Sequence, residues 1–212
     1  MNTEKPLECK KIIFVEGDDD FHFLCNLLDV LGVKGVHVSK IDGKSKLKIA
    51  LKTFTLLEDF TETQSIFIML DADESFNRTK DSIIRTLHEI GIAAPQEHND
   101  VCMHENMKVA FFIMPGSDKN GALEDLILQH ASKKAIFTHV NDFFSKVKEN
   151  EDSIKRENPE YKYPCNEKKA KIQVYLSSNN LSDSRIGTSI KKKIIDIDDE
   201  CFDEIKDFIS KI

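Results

Sequence analysis

Carboxylates follow directly on the two most apolar β-prone runs of this sequence. KKIIFVEGDDD at Lys10–Asp20 sets Glu16 after Ile12-Ile13-Phe14-Val15, and SIFIMLDADE at Ser65–Glu74 sets Asp71 and Asp73 after Ile66–Leu70. Further on, a helix opens at Gly121-Ala122-Leu123-Glu124-Asp125 after the apolar run Val109–Met114. Acids gathered in one place repel one another unless a cation stands between them. Carboxylate oxygens are hard ligands, so the cation such a set selects is Mg²⁺ or Mn²⁺. A divalent ion held this way polarises oxygens bound to it and acidifies water.

The elements that must position these acids follow from the pattern around them. An apolar run without alternation is expected of a strand buried on both faces, as in a parallel sheet. Ligands of such sheets bind outside the carboxyl ends of the strands, where Glu16, Asp71 and Asp73 fall. Strands are predicted at Lys11–Val15, Gly35–Ile41, Ser65–Leu70 and Val109–Met114. Helices are predicted at Asp20–Leu31, about Ser45–Phe60, Asn77–Ile90 and onward from Gly121, with Asp18 or Asp19 capping the first. The alternation predicts right-handed βαβ units and a Rossmann-like α/β fold: a central, mainly parallel four-stranded sheet flanked by helices, over residues 8–130. Residues 131–212 read as a helical C-terminal extension packed on that domain, with helices at Ala135–Val147, Glu167–Ser177 and near Glu200–Ile209. Glu149–Pro164 reads as loop-rich and Ser178–Arg185 as turn-like. Ala93–Lys108 reads as a loose loop carrying His98 and His104 at the surface.

Composition narrows the classes. The chain has 212 residues, 40% hydrophobic and 32% charged, the proportions of a soluble globular protein. A net charge of −7 argues against coating nucleic acid by bulk positive charge. It leaves room for a nucleic-acid enzyme whose metal neutralises phosphate inside an acidic site. Five scattered cysteines, without a CxxC pair or zinc spacing, suit reduced thiols and a cytoplasmic protein. The start, MNTEKPLECKK, has no apolar core, and no run approaches the roughly 20 apolar residues of a spanning helix. A phosphate-binding GxxxxGK[ST] loop is missing, so ATP binding by a P-loop is not expected.

A strand ending in Glu-Gly and a later strand ending in Asp-x-Asp, here FVEGDDD and MLDADE, resemble the Toprim domain of topoisomerases, bacterial-type primases, ribosomal RNA maturases and the overcoming-lysogenization-defect nucleases. Gly121–Leu126 resembles the glycine-led, acid-bearing helix start of the nuclease-type members. The whole chain is most similar to small stand-alone Toprim-like proteins. The resemblance implies a Toprim fold and a Mg²⁺- or Mn²⁺-dependent nuclease, or a related phosphodiester-acting enzyme, on nucleic acid, with DNA favoured over RNA. It implies Glu16 as general acid/base or metal ligand, and Asp71 and Asp73 as metal ligands. Glu124, with Asp125, would complete a second metal position, and Asp20 could join the cluster. Lys169 or Lys171 would be the basic residue that nuclease relatives draw from the far end of the domain. Lys191, Lys192 and Lys193 could track a phosphate backbone. It also implies a possible separate ATPase partner, sometimes in phage defence. The alternative is a non-catalytic Toprim-like module that regulates or binds a partner.

Overall fold

The computed structural model describes residues 9–179 and 185–212. Four strands form where the apolar runs predict them: β1 Lys11–Val15, β2 Val36–Lys40, β3 Ser65–Asp71 and β5 Met107–Met114. A further strand, β4 Val101–His104, makes the sheet five-stranded, in the order β2-β1-β3-β5-β4. This corrects the four-stranded expectation and the reading of Ala93–Lys108 as loop. β4 is an antiparallel edge strand paired to β5, from Val101 opposite Ala110 to His104 opposite Met107. Only one face of a short edge strand is covered, so Val101 and Met103 stay exposed and no continuous apolar run announces it. All other neighbours are parallel, with Val15 opposite both Lys40 of β2 and Met69 of β3.

Alternation along the strands divides the core into two layers. Ile13, Val15, Phe67, Met69 and Phe112 face α1 Asp18–Leu31, α4 Leu123–Ala131, α5 Ala135–Glu149, α7 Glu167–Ser177, α8 Ile186–Lys191 and α9 Asp203–Ser210. Ile12, Phe14, Ile66, Ile68 and Phe111 face α2 Leu47–Thr55 and α3 Phe76–Glu89. Phe208 of α9 packs on Phe67 and Phe112 with ring centroids 5.0 and 5.3 Å away, so the C-terminal helices complete the first layer. The stretch read as loop-rich holds a helix, α6 Glu151–Glu157. Its sequence EDSIKRE has little apolar signal, and the Lys155–Glu151 ion pair, four residues apart, supports it instead. Part of the Ser178–Arg185 turn lies outside the described residues.

Helix α8 crosses α1 closely at Gly187. A Cβ added there would lie 2.6 Å from the His22 carbonyl oxygen and 2.4 Å from Asn26 Nδ2. Gly187→Ala is therefore expected to push the helices apart and cost about 1–3 kcal/mol, read as a lower urea midpoint at unchanged m.

From β1 the chain steps to β2 on one side and later returns to β3 on the other. The carboxyl ends of β1 and β3 thus flank the topological switch point, the crevice where open α/β sheets bind ligands.

Candidate acidic active site

Glu16 leaves β1 and Asp71 ends β3 at this crevice. Asp20, in the first turn of α1, is buried, and its Oδ2 accepts the Gly17 N–H at 3.0 Å. Asp20, not Asp18 or Asp19, is therefore the side chain that caps α1. Asp18 instead pairs with Lys40 at 2.7 Å, and Asp19 with Lys169 at 2.5 Å. Asp71 Oδ1 accepts the Leu123 N–H at 3.1 Å, which joins the end of β3 to the start of α4 and to Glu124 beside it. A backbone bridge reinforces that join: Asp73 N–H donates to Gly121 at 2.7 Å and Gly121 N–H to Asp73 at 2.8 Å. Gly121 has φ 127°, and a Cβ there would meet Asp125 Oδ2 at 2.3 Å, which is why a glycine leads this element.

Four of these acids feel one another. Burial pushes the Asp71 carboxyl up to about 8, reinforced by Asp20, Glu16 and Glu124, while the Leu123 N–H pulls it back. Burial pushes Asp20 up to about 7; the Gly17 N–H opposes this, and Glu16 and Glu124 add to it. Glu16 is also raised by burial; Lys44 lowers it, Asp73 raises it, and the backbone N–H groups of Asp71 and Lys44 pull it back. The Glu16 Oε2 atom is buried and has no hydrogen-bond partner. A carboxylate oxygen so placed, among oxygen donors that repel one another, fits a hard divalent cation. Glu16, Asp20, Asp71 and Glu124 are the acids that could hold it, although no three of their oxygens stand within 4.8 Å of one another in this arrangement.

The remaining predicted residues take other places. Asp73 is exposed and pairs with Lys44 at 2.5 Å. Asp125 closes the first turn of α4, accepting the Ala122 N–H at 3.0 Å and Lys168 at 2.6 Å. That accounts for both its oxygens without the cluster. Lys169 lies close enough for Glu124 and Asp20, besides Asp19, to raise its pKa. Lys171, two residues along the same helix, points away: it pairs with Glu167 at 2.7 Å and sits 5.9 Å over the Phe144 ring. Lys191 pairs with Asp29 at 2.8 Å, near the opposite end of α1 from Asp20 and on the order of 13 Å along that helix. Exposed Lys192 and Lys193 follow it there, so the run does not border the acids. Beside the cluster opens a groove of about 770 Å³, lined by Lys44, Asp73, Arg78, Glu124, Asn166 and Lys168 among others. Lys44, Arg78 and Lys168 carried no sequence signal, because only the fold brings them together.

Histidine 98 is buried, not at the surface. Ile113 N–H donates to its Nδ1 at 2.9 Å, so Nε2 carries the hydrogen and donates to Glu204 Oε1 at 3.0 Å. Ser117 donates to the same carboxylate from both its backbone N–H and its hydroxyl. Glu204 of α9 thus fastens the loop between β5 and α4. His98 holds its carboxyl down to about 2, against burial and with help from Ser117. A depressed carboxylate stabilises the fold above its unfolded pKa and loses that effect as pH falls through the folded value. Glu204→Gln is expected to lower stability at pH 7 by about 1–2 kcal/mol. The difference from wild type should fade in melts between about pH 4.5 and 2, the interval between its ordinary and folded values.

Among the described residues, one trio of potential metal-ligand atoms lies within 4.8 Å of one another: His130, Asp199 and Cys201. This group could hold a metal; sequence reading missed it because 69 residues separate His130 from Asp199. It already has internal partners. His130 Nδ1 stands 3.2 Å from Asp199 Oδ2, Lys133 pairs with Asp199 Oδ1 at 2.8 Å, and burial pushes the Cys201 thiol up to about 12. No helix among the described residues is long and apolar enough to cross a membrane.

Comparison with known proteins yields one family. The family described as "Protein of unknown function (DUF3226)" matches residues 10–212. No curated protein matches. Among solved structures, the C-terminal region of the Burkholderia pseudomallei OLD protein aligns over 96% of this chain and 88% of that one, at 14% identity and a TM-score of 0.41. The C-terminal region of the Xanthomonas campestris pv. campestris OLD protein, phased with mercury, aligns over 96% and 86%, at 13% identity and a TM-score of 0.39.

Proposed function

We propose, from the premise that the chain belongs to the DUF3226 family of proteins of unknown function, that its acidic crevice is the active site of a metal-dependent, Toprim-type phosphodiesterase acting on nucleic acid. The observation that carries this reading is the partnerless, buried Glu16 Oε2 among Asp20, Asp71 and Glu124, at the switch point of the sheet. When bound, Mg²⁺ or Mn²⁺ supplies Lewis-acid polarisation of the phosphate and lowers the pKa of water. Glu16, whose carboxyl burial pushes up, takes the proton of the attacking water as the water's oxygen bonds to phosphorus. The phosphorus–oxygen bond to the leaving nucleoside then breaks, and Lys169 at the rim stabilises the charge on that oxygen. DNA is favoured over RNA as substrate. The five free thiols fit a reducing compartment such as the cytoplasm. A separate ATPase is the partner this reading admits.

A second reading has its own support. Lys44–Asp73, Lys168–Asp125 and Lys169–Asp19 pairs already neutralise the rim, as a non-catalytic module built to bind a partner would need. Titrating wild-type protein with Mg²⁺ and Mn²⁺, while following Tm and the cleavage of labelled single- and double-stranded DNA and RNA, separates the two. Metal-dependent cleavage supports the enzyme. A metal-dependent rise in Tm without cleavage supports the module. Neither response would leave the carboxylates as caps and turns.

A further inference from the structure

Three cations line the groove beside the acids: Lys44, Arg78 and Lys168. Two are already engaged, Lys44 with Asp73 at 2.5 Å and Lys168 with Asp125 at 2.6 Å. Arg78, in the first turn of α3, has no side-chain hydrogen bond or ion pair among the described residues; only its backbone N–H is used, donating to Ser75 Oγ at 3.3 Å. Ser75, Thr79, Ser82 and Asn166 line the same groove, with the acids Asp73, Glu74, Glu124 and Asp125; the Thr79 hydroxyl is spent on the Asp71 and Ala72 carbonyls, which leaves those of Ser75 and Ser82 to donate. A guanidinium with its fork of donors unspent, beside the Ser75 and Ser82 hydroxyls, matches the paired oxygens of a phosphate or carboxylate, and of the two the phosphodiester is the one the acidic centre would act on.

We infer that Arg78 and the hydroxyl wall of α3 form a phosphate subsite, which holds the nucleic-acid backbone next to the bond at the acidic centre. This rests on the nucleic-acid reading above and adds where the strand lies: it leaves the acids over α3, not along α1 toward Lys191–Lys193. Arg78 is a binding residue here. Its loss weakens substrate binding and raises KM far more than it lowers kcat.

The test is fluorescence anisotropy of a labelled single-stranded DNA oligonucleotide, with Ca²⁺ as the hard cation, from 50 to 200 mM salt. Arg78→Ala should weaken binding about ten-fold at the low-salt end and reduce the slope of log affinity against log salt by about 0.7, one phosphate contact on a single strand. Arg78→Lys keeps the charge, so it should keep the slope and recover part of the affinity. Arg85→Ala removes an equal charge from an exposed position on α3 outside the groove lining and should leave both unchanged. Arg78→Ala with wild-type affinity and slope would overturn the subsite, as would an equal loss in Arg85→Ala. In either case wild-type cleavage can persist, so the subsite falls alone. A wild-type protein that binds no oligonucleotide removes the nucleic-acid reading and the subsite with it.

Discussion

Asp71→Asn is expected to abolish metal-dependent cleavage, with a loss beyond the roughly 10–100-fold typical of changes outside the ligand shell. Asp71 sits at the centre of the proposed site: it ends β3, accepts the Leu123 N–H, and is raised to about 8, by burial first and then by Asp20, Glu16 and Glu124. The amide keeps the size and can still accept that hydrogen bond, but it brings no charge to a cation. The same substitution should raise the Tm of the metal-free protein, because it removes one of the charges that Asp20, Glu16 and Glu124 oppose. The two effects run in opposite directions, so together they cannot come from misfolding. A variant that cleaves like wild type, or one that melts lower without metal, would sink the assignment.

The second large effect is on the pH dependence of stability without metal. A carboxyl whose folded pKa is raised binds its proton more tightly in the folded state, so stability falls as pH rises from the unfolded to the folded value. Asp71 and Asp20 are raised from 3.8 to about 8 and about 7. Metal-free protein should therefore melt lower at pH 8 than at pH 5, by on the order of 10 °C. Glu204 and Asp199 act with the opposite sign but below this window, since both are depressed. Saturating Mg²⁺ should flatten the curve, and Asp71→Asn should flatten it without metal. A metal-free Tm that is constant from pH 5 to 8 would contradict the mutual repulsion on which the site is argued.

Burial on both faces made β1 and β3 readable from the sequence, because a strand covered twice must be apolar throughout, and the acids at their ends inherit that clarity. β4 was not readable: one covered face and four residues leave no pattern that a loop lacks. The same holds for α6, whose support is ionic and not a hydrophobic stripe. Within the site, Glu16 and Asp71 were legible because a strand's end fixes where its next residue lies. The cations were not. Lysines are common, and that Lys169 and not Lys171 lies near the acids depends on which face of α7 meets α1, a fact of packing. His98 looked like a loop residue because its partner, Glu204, is 106 positions away. Asp18, Asp19 and Asp20 are indistinguishable in sequence, yet only Asp20 turns inward to the Gly17 N–H.

That last contact gives the protein a built-in reporter. One oxygen of Asp20 holds the Gly17 amide, while the carboxyl as a whole answers to Glu16 and Glu124. Whatever discharges the cluster, a proton or a cation, changes the strength of a hydrogen bond to a single backbone hydrogen at the mouth of α1. The chemical shift of one glycine amide, a residue type usually well resolved in a nitrogen–proton spectrum, therefore follows the charge on these acids without any added label.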